Sequence, residues 1–153
     1  MGNNQFWRQY AAPAGAHYAN GSSEPTCSVS GLTVNCTGTA ISGVGNMDAD
    51  LVLSVAYSAT VQCRNKGGQL VEVKTQFTTA SSSDSDTRLR NGTLTVSPTS
   101  VTGPSDADFK SRATCPNGNW TKELVAGSPL VTGYRYTLTF KGLIDAAITV
   151  TGP

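Results

Sequence analysis

The sequence predicts an all-β domain: an antiparallel β-sandwich of immunoglobulin-like or jelly-roll type, with about eight strands. Three observations carry that expectation. Apolar residues recur at every second position, most clearly in LVLSVAYSATVQC (residues 51–63), and nowhere form a helical stripe. Clusters of Gly, Asn, Pro and Ser punctuate these runs, as turns do in strand-rich domains. Two of the four cysteines sit where a tight hairpin sets them opposite each other.

The 153 residues suit one domain, and that length can bury a core, so disulfides would reinforce the fold rather than replace it. Charged residues make up 14% of the chain and the net charge is +1, which argues against a general attraction to nucleic acid or to acidic membranes. No apolar stretch approaches the roughly 18 residues that cross a bilayer. Residues 1–25 are too polar and aromatic for a secretion signal, and Met1-Gly2 reads as an added start ahead of a mature N-terminus.

Within residues 1–25, Gly, Asn, Ala and Pro interrupt every candidate element, so the segment is expected to be a flexible N-terminal arm ahead of a β domain over 26–151. Its aromatic content is unusual for a solvated linker: Phe6, Trp7, Tyr10 and Tyr18.

The next stretch, CSVSGLTVNC, reads as a hairpin on a type II′ turn at Gly31-Leu32. That register pairs Ser30 with Thr33, Val29 with Val34, Ser28 with Asn35 and Cys27 with Cys36. The cysteine pair then falls at a non-hydrogen-bonded site, where Cα atoms lie about 4.5 Å apart, within reach of a disulfide. Four cysteines allow three pairings, and this one leaves Cys63 with Cys115.

Thr37–Asn46 reads as a Gly-rich turn. Residues 51–63 form a long strand with Leu51, Leu53, Val55, Tyr57, Ala59, Val61 and Cys63 on one face. A turn at Arg64–Gly68 leads back into QLVEVKTQFTT, completing a central hairpin. ASSSDSDTRLRN (80–91) reads as a polar loop, and GTLTV as a short strand. Ser105 precedes acids at the start of a helical turn or two over 105–112. ATC and WTKELV read as strands around a Cys115–Asn119 turn. GYRYTLTF and LIDAAITV close the domain, the former with Tyr134, Tyr136, Leu138 and Phe140 on one face. The Cys–Trp–Cys spacing of true immunoglobulin domains is absent.

No catalytic constellation emerges, and the chain is expected not to be an enzyme. His17, the single histidine, lies in the arm, and a triad would need it docked into the domain. The cysteines are consumed by bridges, which leaves no thiol nucleophile and no zinc set. The acid pairs Asp48/Asp50, Asp84/Asp86 and Asp106/Asp108 lack the spacing of a calcium loop and are explained by loop solvation and helix capping. No metal or cofactor is expected. N-x-S/T sequences at Asn20, Asn35, Asn91 and Asn119 matter only in a eukaryotic source.

Phe6, Trp7, Arg8 and Tyr10 lie within five residues, and Trp, Tyr and Arg are the types that dominate binding hot spots. They are the candidate partner-binding residues. The competing expectation packs these aromatics back over the domain. A second functional reading is a carbohydrate-binding or adhesion domain in which Tyr57, Trp120, Tyr134 or Tyr136 stacks on sugar, although alternation assigns Tyr134 and Tyr136 to the core.

The segments CSVSGLTVNC, ISGVG and YSATVQCRNKGGQLVEVKTQ, followed by FKSRATCPNGNWT and YRYTLTFKGL, resemble small secreted proteins of actinobacteria over about residues 27–150. Within that group the plan of a compact β body with an N-terminal extension is similar to the adaptor subunit of umbrella toxin particles. The resemblance implies an extracellular location and two partners: a trypsin-like lectin subunit that receives the extension, and a repeat-containing toxin subunit that holds the body. It would place Phe6–Tyr10 in the inserting arm.

Overall fold

The computed structural model describes the backbone of residues 4–83 and 87–152, and side chains over residues 7–78 and 87–152. In chain order, β1 (Asn4–Trp7), a single 3-10 turn (Gln9–Ala11) and the two-residue β2 (His17–Tyr18) precede a hairpin of β3 (Cys27–Ser30) and β4 (Thr33–Cys36). β5 (Thr39–Ser42) leads to the long hairpin of β6 (Ala49–Arg64) and β7 (Leu70–Ser83). A third hairpin, β8 (Thr87–Arg90) and β9 (Thr93–Val96), is followed by β10 (Thr99–Thr102) and helix α1 (Asp106–Arg112). β11 (Thr121–Leu124), β12 (Leu130–Phe140) and β13 (Ile148–Gly152) complete the described chain.

These strands build three sheets, in which every pair is antiparallel. The largest runs β1-β13-β12-β6, with β7 along the other edge of β6 and β11 beside the far end of β6. A three-stranded sheet has the order β10-β4-β3, and a four-stranded sheet the order β2-β5-β9-β8. Val34, Ile41, Leu53, Leu94 and Tyr136, drawn from all three sheets, belong to one buried cluster. The described chain is thus all-β, as the alternating runs predict, with one short helix where the capping residues place it, but it has thirteen strands rather than about eight because short segments join the three sheets as extra strands.

The first hairpin adopts the expected register residue for residue, with Cys27 opposite Cys36. Gly31 has φ +59°, as the first position of a type II′ turn requires, and the Cys27 and Cys36 Cα atoms lie 4.0 Å apart. Val34 and both cysteines are buried, but Val29 on the same face stays exposed, because β3 is the outer strand of its sheet. The second bridge joins Cys63 to Cys115. Bridges of this kind are typical of chains that mature in an oxidising compartment. No helix among the described residues is long and apolar enough to cross a membrane.

β6 fixes the plan of the molecule. Its side chains alternate between buried and partly exposed along almost its whole length, and Leu53, Val55 and Val61 have no exposed surface. A strand of 16 residues spans roughly 50 Å at about 3.3 Å per residue, so its two ends are distant parts of the surface. The helix forms as expected: the Ser105 hydroxyl accepts from the Asp108 N–H while the Asp108 carboxylate accepts from the Ser105 N–H. Its one buried residue, Phe109, meets Phe77 of β7 edge to face at 5.4 Å, and the Arg112 guanidinium lies 4.1 Å from the same ring centre.

Several expected loops are strands. Thr37–Asn46 contains β5, paired with β9, and β7 runs on to Ser83 because the partner β6 is long enough to keep pairing it. Thr87–Arg90 is strand β8, turned by Asn91 and Gly92 with φ of +52° and +77°, the two left-handed positions of a type I′ hairpin. Asp84 and Asp86 lie outside the described residues. ATC is not a strand: Ala113 caps α1 and the chain then bends to Cys115.

Residues 4–25 depart from the flexible-arm expectation and follow the competing one, in which the segment packs back over the domain. In place of a free arm, β1 pairs with β13 from Asn4 opposite Thr151 to Trp7 opposite Ile148, and β2 pairs with β5. Ala11 and Ala16 between them are buried. Backbone pairing at both ends and an aromatic contact between Trp7 and Tyr18 hold the segment across two sheets.

Candidate functional site

The four residues expected to bind a partner divide once the segment is docked. Phe6 pairs through its backbone with Thr149, and its side chain lies outside the described residues. Trp7 is turned inward: its ring packs on Tyr18 and its indole N–H donates to Gln9 Oε1 at 3.0 Å. Arg8 is partly buried and its backbone N–H donates to the Ala147 carbonyl at 2.9 Å. Of the three whose side chains are described, Tyr10 is the one that projects, with 72% of its surface exposed.

Tyr10 stands beside the loop between β12 and β13. Its hydroxyl donates to Asp145 Oδ2 at 3.2 Å, and with Ala11 it lines a cleft of about 230 Å³ whose other wall is Gly142, Leu143, Ile144 and Asp145. Ile144 is 97% exposed, far more than any other large hydrophobic residue described. A second cleft, about 470 Å³ and lined by Val44, Asn46, Met47, Asp48 and Lys141, touches the start of the same loop. The loop therefore carries an apolar tip and contributes to two clefts at the Ala49 end of β6, since Phe140 pairs with Ala49. β1, beside it, is the terminal strand of the large sheet.

Ile144 was not singled out by the sequence reading. LIDAAITV reads as one strand, but β13 begins only at Ile148. The signal available was Gly142 ahead of it, which takes φ +88° and turns the chain out after Phe140.

A different arrangement occupies the Arg64 end of β6. Trp120, just ahead of β11, is partly exposed and lines two clefts. One, about 480 Å³, is completed by Ser111, Ala113, Thr114, Cys115, Asn117, Gly118 and Lys122. The other, about 280 Å³, is completed by Asn65, Lys66, Gly67, Asn117 and Asn119. The remaining aromatics proposed for stacking are removed from the surface: Tyr57, Tyr134 and Tyr136 are all buried. Burial also raises the pKa of Tyr134.

The polar residues considered for chemistry have local roles. His17 is exposed, with Nδ1 3.0 Å from the Gly15 carbonyl oxygen. Asp48 accepts from the Ala49 N–H and the Thr87 hydroxyl, Asp50 pairs with Lys141 at 3.6 Å, and Asp108 caps α1. Among the described residues, no three His, Cys, Asp or Glu gather in a group that could hold a metal ion. No protein-family model matches the chain, and neither a curated protein nor a solved structure does.

Proposed function

We propose that this chain is a non-catalytic interaction module of an extracellular assembly, which engages another secreted protein through the corner built by Tyr10, Leu143 and Ile144. The observation that carries this reading is the near-complete exposure of Ile144 beside the outward-facing Tyr10. An isoleucine held at a loop tip loses favourable burial unless a partner covers it, and clustered exposed apolar groups mark interaction sites. Tyrosine adds a large rigid surface with a polar end, the profile of a binding hot spot. The adjoining outer edge of β1 offers backbone groups to which a partner can add a strand.

The resemblance to the adaptor subunit supports the same reading and suggests a lectin-type subunit at this corner and a repeat-bearing toxin subunit elsewhere on the body. The N-terminal segment would then act as a docked strap that presents Tyr10, with Trp7 and Arg8 holding it in place.

Affinity capture from the medium of the source culture tests the proposal. The intact chain and a Trp120→Ala control should retain the same secreted protein, and a Tyr10→Ala/Ile144→Ser variant of unchanged thermal stability should lose it. Equal capture by the double variant would refute the corner as the interface.

A further inference from the structure

We propose that the Trp120 end of the molecule is a glycan-binding site, selective for chains that carry a carboxylate-bearing sugar. The two clefts share Trp120 and Asn117, so a chain running over the indole meets a cleft on either side. An indole face suits the C–H face of a sugar ring, where stacking buries apolar surface without requiring the hydroxyls to be desolvated. Side-chain amides supply the complementary polar chemistry, since each offers a donor pair and an acceptor to adjacent hydroxyls. Asn117 lines both clefts and Asn119 one of them.

The site is held rigid before any ligand arrives. The Cys63–Cys115 bridge ties its two halves together. Asn65 closes its turn by donating to Gln69 Oε1 and accepting from the Gln69 N–H, both at 2.8 Å. The Asn119 N–H donates to Asn117 Oδ1 at 2.9 Å, which ties the two residues into one turn. Pre-set walls of this kind reduce the entropy lost on binding.

Charge selects among sugars. Lys122 lines one cleft and Lys66 the other, and neither cleft is lined by an Asp or Glu. A uronate or sialate carboxylate meets a lysine on either side of the indole. A nucleic-acid strand is disfavoured, because a single aromatic without a continuous basic groove does not hold successive bases. This site lies at the opposite end of β6 from the Tyr10 corner and does not depend on it.

The test is a glycan array spanning neutral, uronate-bearing and sialate-bearing chains, probed with the intact protein, followed by titration calorimetry on the strongest ligand. Retention of acidic glycans is expected, with affinity falling about tenfold, or about 1.4 kcal/mol, in Trp120→Ala. Lys66→Gln/Lys122→Gln should weaken acidic glycans several-fold and flatten their salt dependence, while Tyr10→Ala/Ile144→Ser should bind as the parent does. Because Trp120 sits near a disulfide, Trp120→Phe and the lysine pair serve as variants that preserve packing, with melting curves as controls. Binding of no glycan, binding indifferent to Trp120→Ala, or equal binding of neutral and acidic chains would overturn the proposal.

Discussion

The rings of Trp7 and Tyr18 meet at 5.2 Å between centroids with an interplanar angle of 50°. Trp7 belongs to the edge strand of the largest sheet and Tyr18 to the outer strand of the four-stranded sheet, so this one contact couples both anchor points of the N-terminal segment. Removing the indole takes away its contact with the Tyr18 ring and leaves the strap held by short backbone ladders, buried Ala11 and Ala16, and the Tyr10–Asp145 hydrogen bond. Trp7→Ala should therefore lower stability by about 2 kcal/mol, below the range for a fully buried tryptophan because Trp7 is only partly buried. Hydrogen exchange should show faster exchange of the β1 amides, with the β6 amides less affected.

Tyr18 itself has a second consequence. Its hydroxyl is buried with no hydrogen-bond partner among the described residues. Burial, reinforced by the negative charge of Glu24 and by Tyr136, pushes its pKa well above the ordinary 10.0. The neutral phenol is thus the form the fold accepts. Above pH 10 the unfolded chain releases the proton more readily than the folded one, so stability is intact below that pH and falls as pH rises towards the folded value. Tyr18→Phe should raise stability at neutral pH by about 1 kcal/mol by removing an unsatisfied buried hydroxyl. It should also reduce the alkaline loss, and denaturant melts between pH 8 and pH 11 would show both effects.

The two disulfides differ in the length of chain they close. The Cys63–Cys115 bridge spans a sequence separation of 52 and the Cys27–Cys36 bridge one of 9. Loop-closure entropy assigns about 4 kcal/mol to the first and about 2.7 kcal/mol to the second. Cys63→Ala/Cys115→Ala should accordingly cost more than Cys27→Ala/Cys36→Ala, and the difference is read directly from urea midpoints at equal slope. An equal loss in the two double variants would show that strand packing, not chain entropy, sets their weight.

Gly103 follows β10 at a point where its backbone N–H donates to the Leu32 carbonyl at 3.0 Å. A methyl group there would lie 2.5 Å from Cε2 of Tyr57, whose ring is buried against the core. Neither the backbone hydrogen bond nor the ring has room to yield. Gly103→Ala should destabilise by about 2 kcal/mol through overpacking, although glycine-to-alanine changes usually stabilise where space allows. Thermal melts of the variant and the parent would decide it.

Much of this fold is legible in the chain because local rules there act unopposed. The alternation from Leu51 to Cys63 survives intact as the buried face of β6, and the Gly31-Leu32 turn fixes a register that the cysteines and Val34 then share. The capping residues at Ser105 and Asp108 likewise place α1. The strands that escape sequence reading are those whose pairing comes from elsewhere in the molecule. Ser81–Ser83 has no apolar alternation, yet β6 supplies a ladder for it to join. The Asn91-Gly92 turn was readable as a hairpin signal, but the polar run before it outweighed the dipeptide. β1 and β2 have too few residues to show a period, and their order comes from the sheets they extend. At the candidate sites, Tyr10 and Trp120 stand out by residue type, whereas Ile144 becomes visible only when the β12–β13 loop is seen to project it.

The most direct test of the interaction corner is residue-resolved photocrosslinking in the medium of the source culture. A benzophenone side chain placed at Ile144 should trap one dominant secreted protein, and the same group at Glu72, on the polar face of β7, should trap none. Equal adducts from both positions, or an adduct from Glu72 alone, would contradict the assignment of this corner as the partner-binding surface.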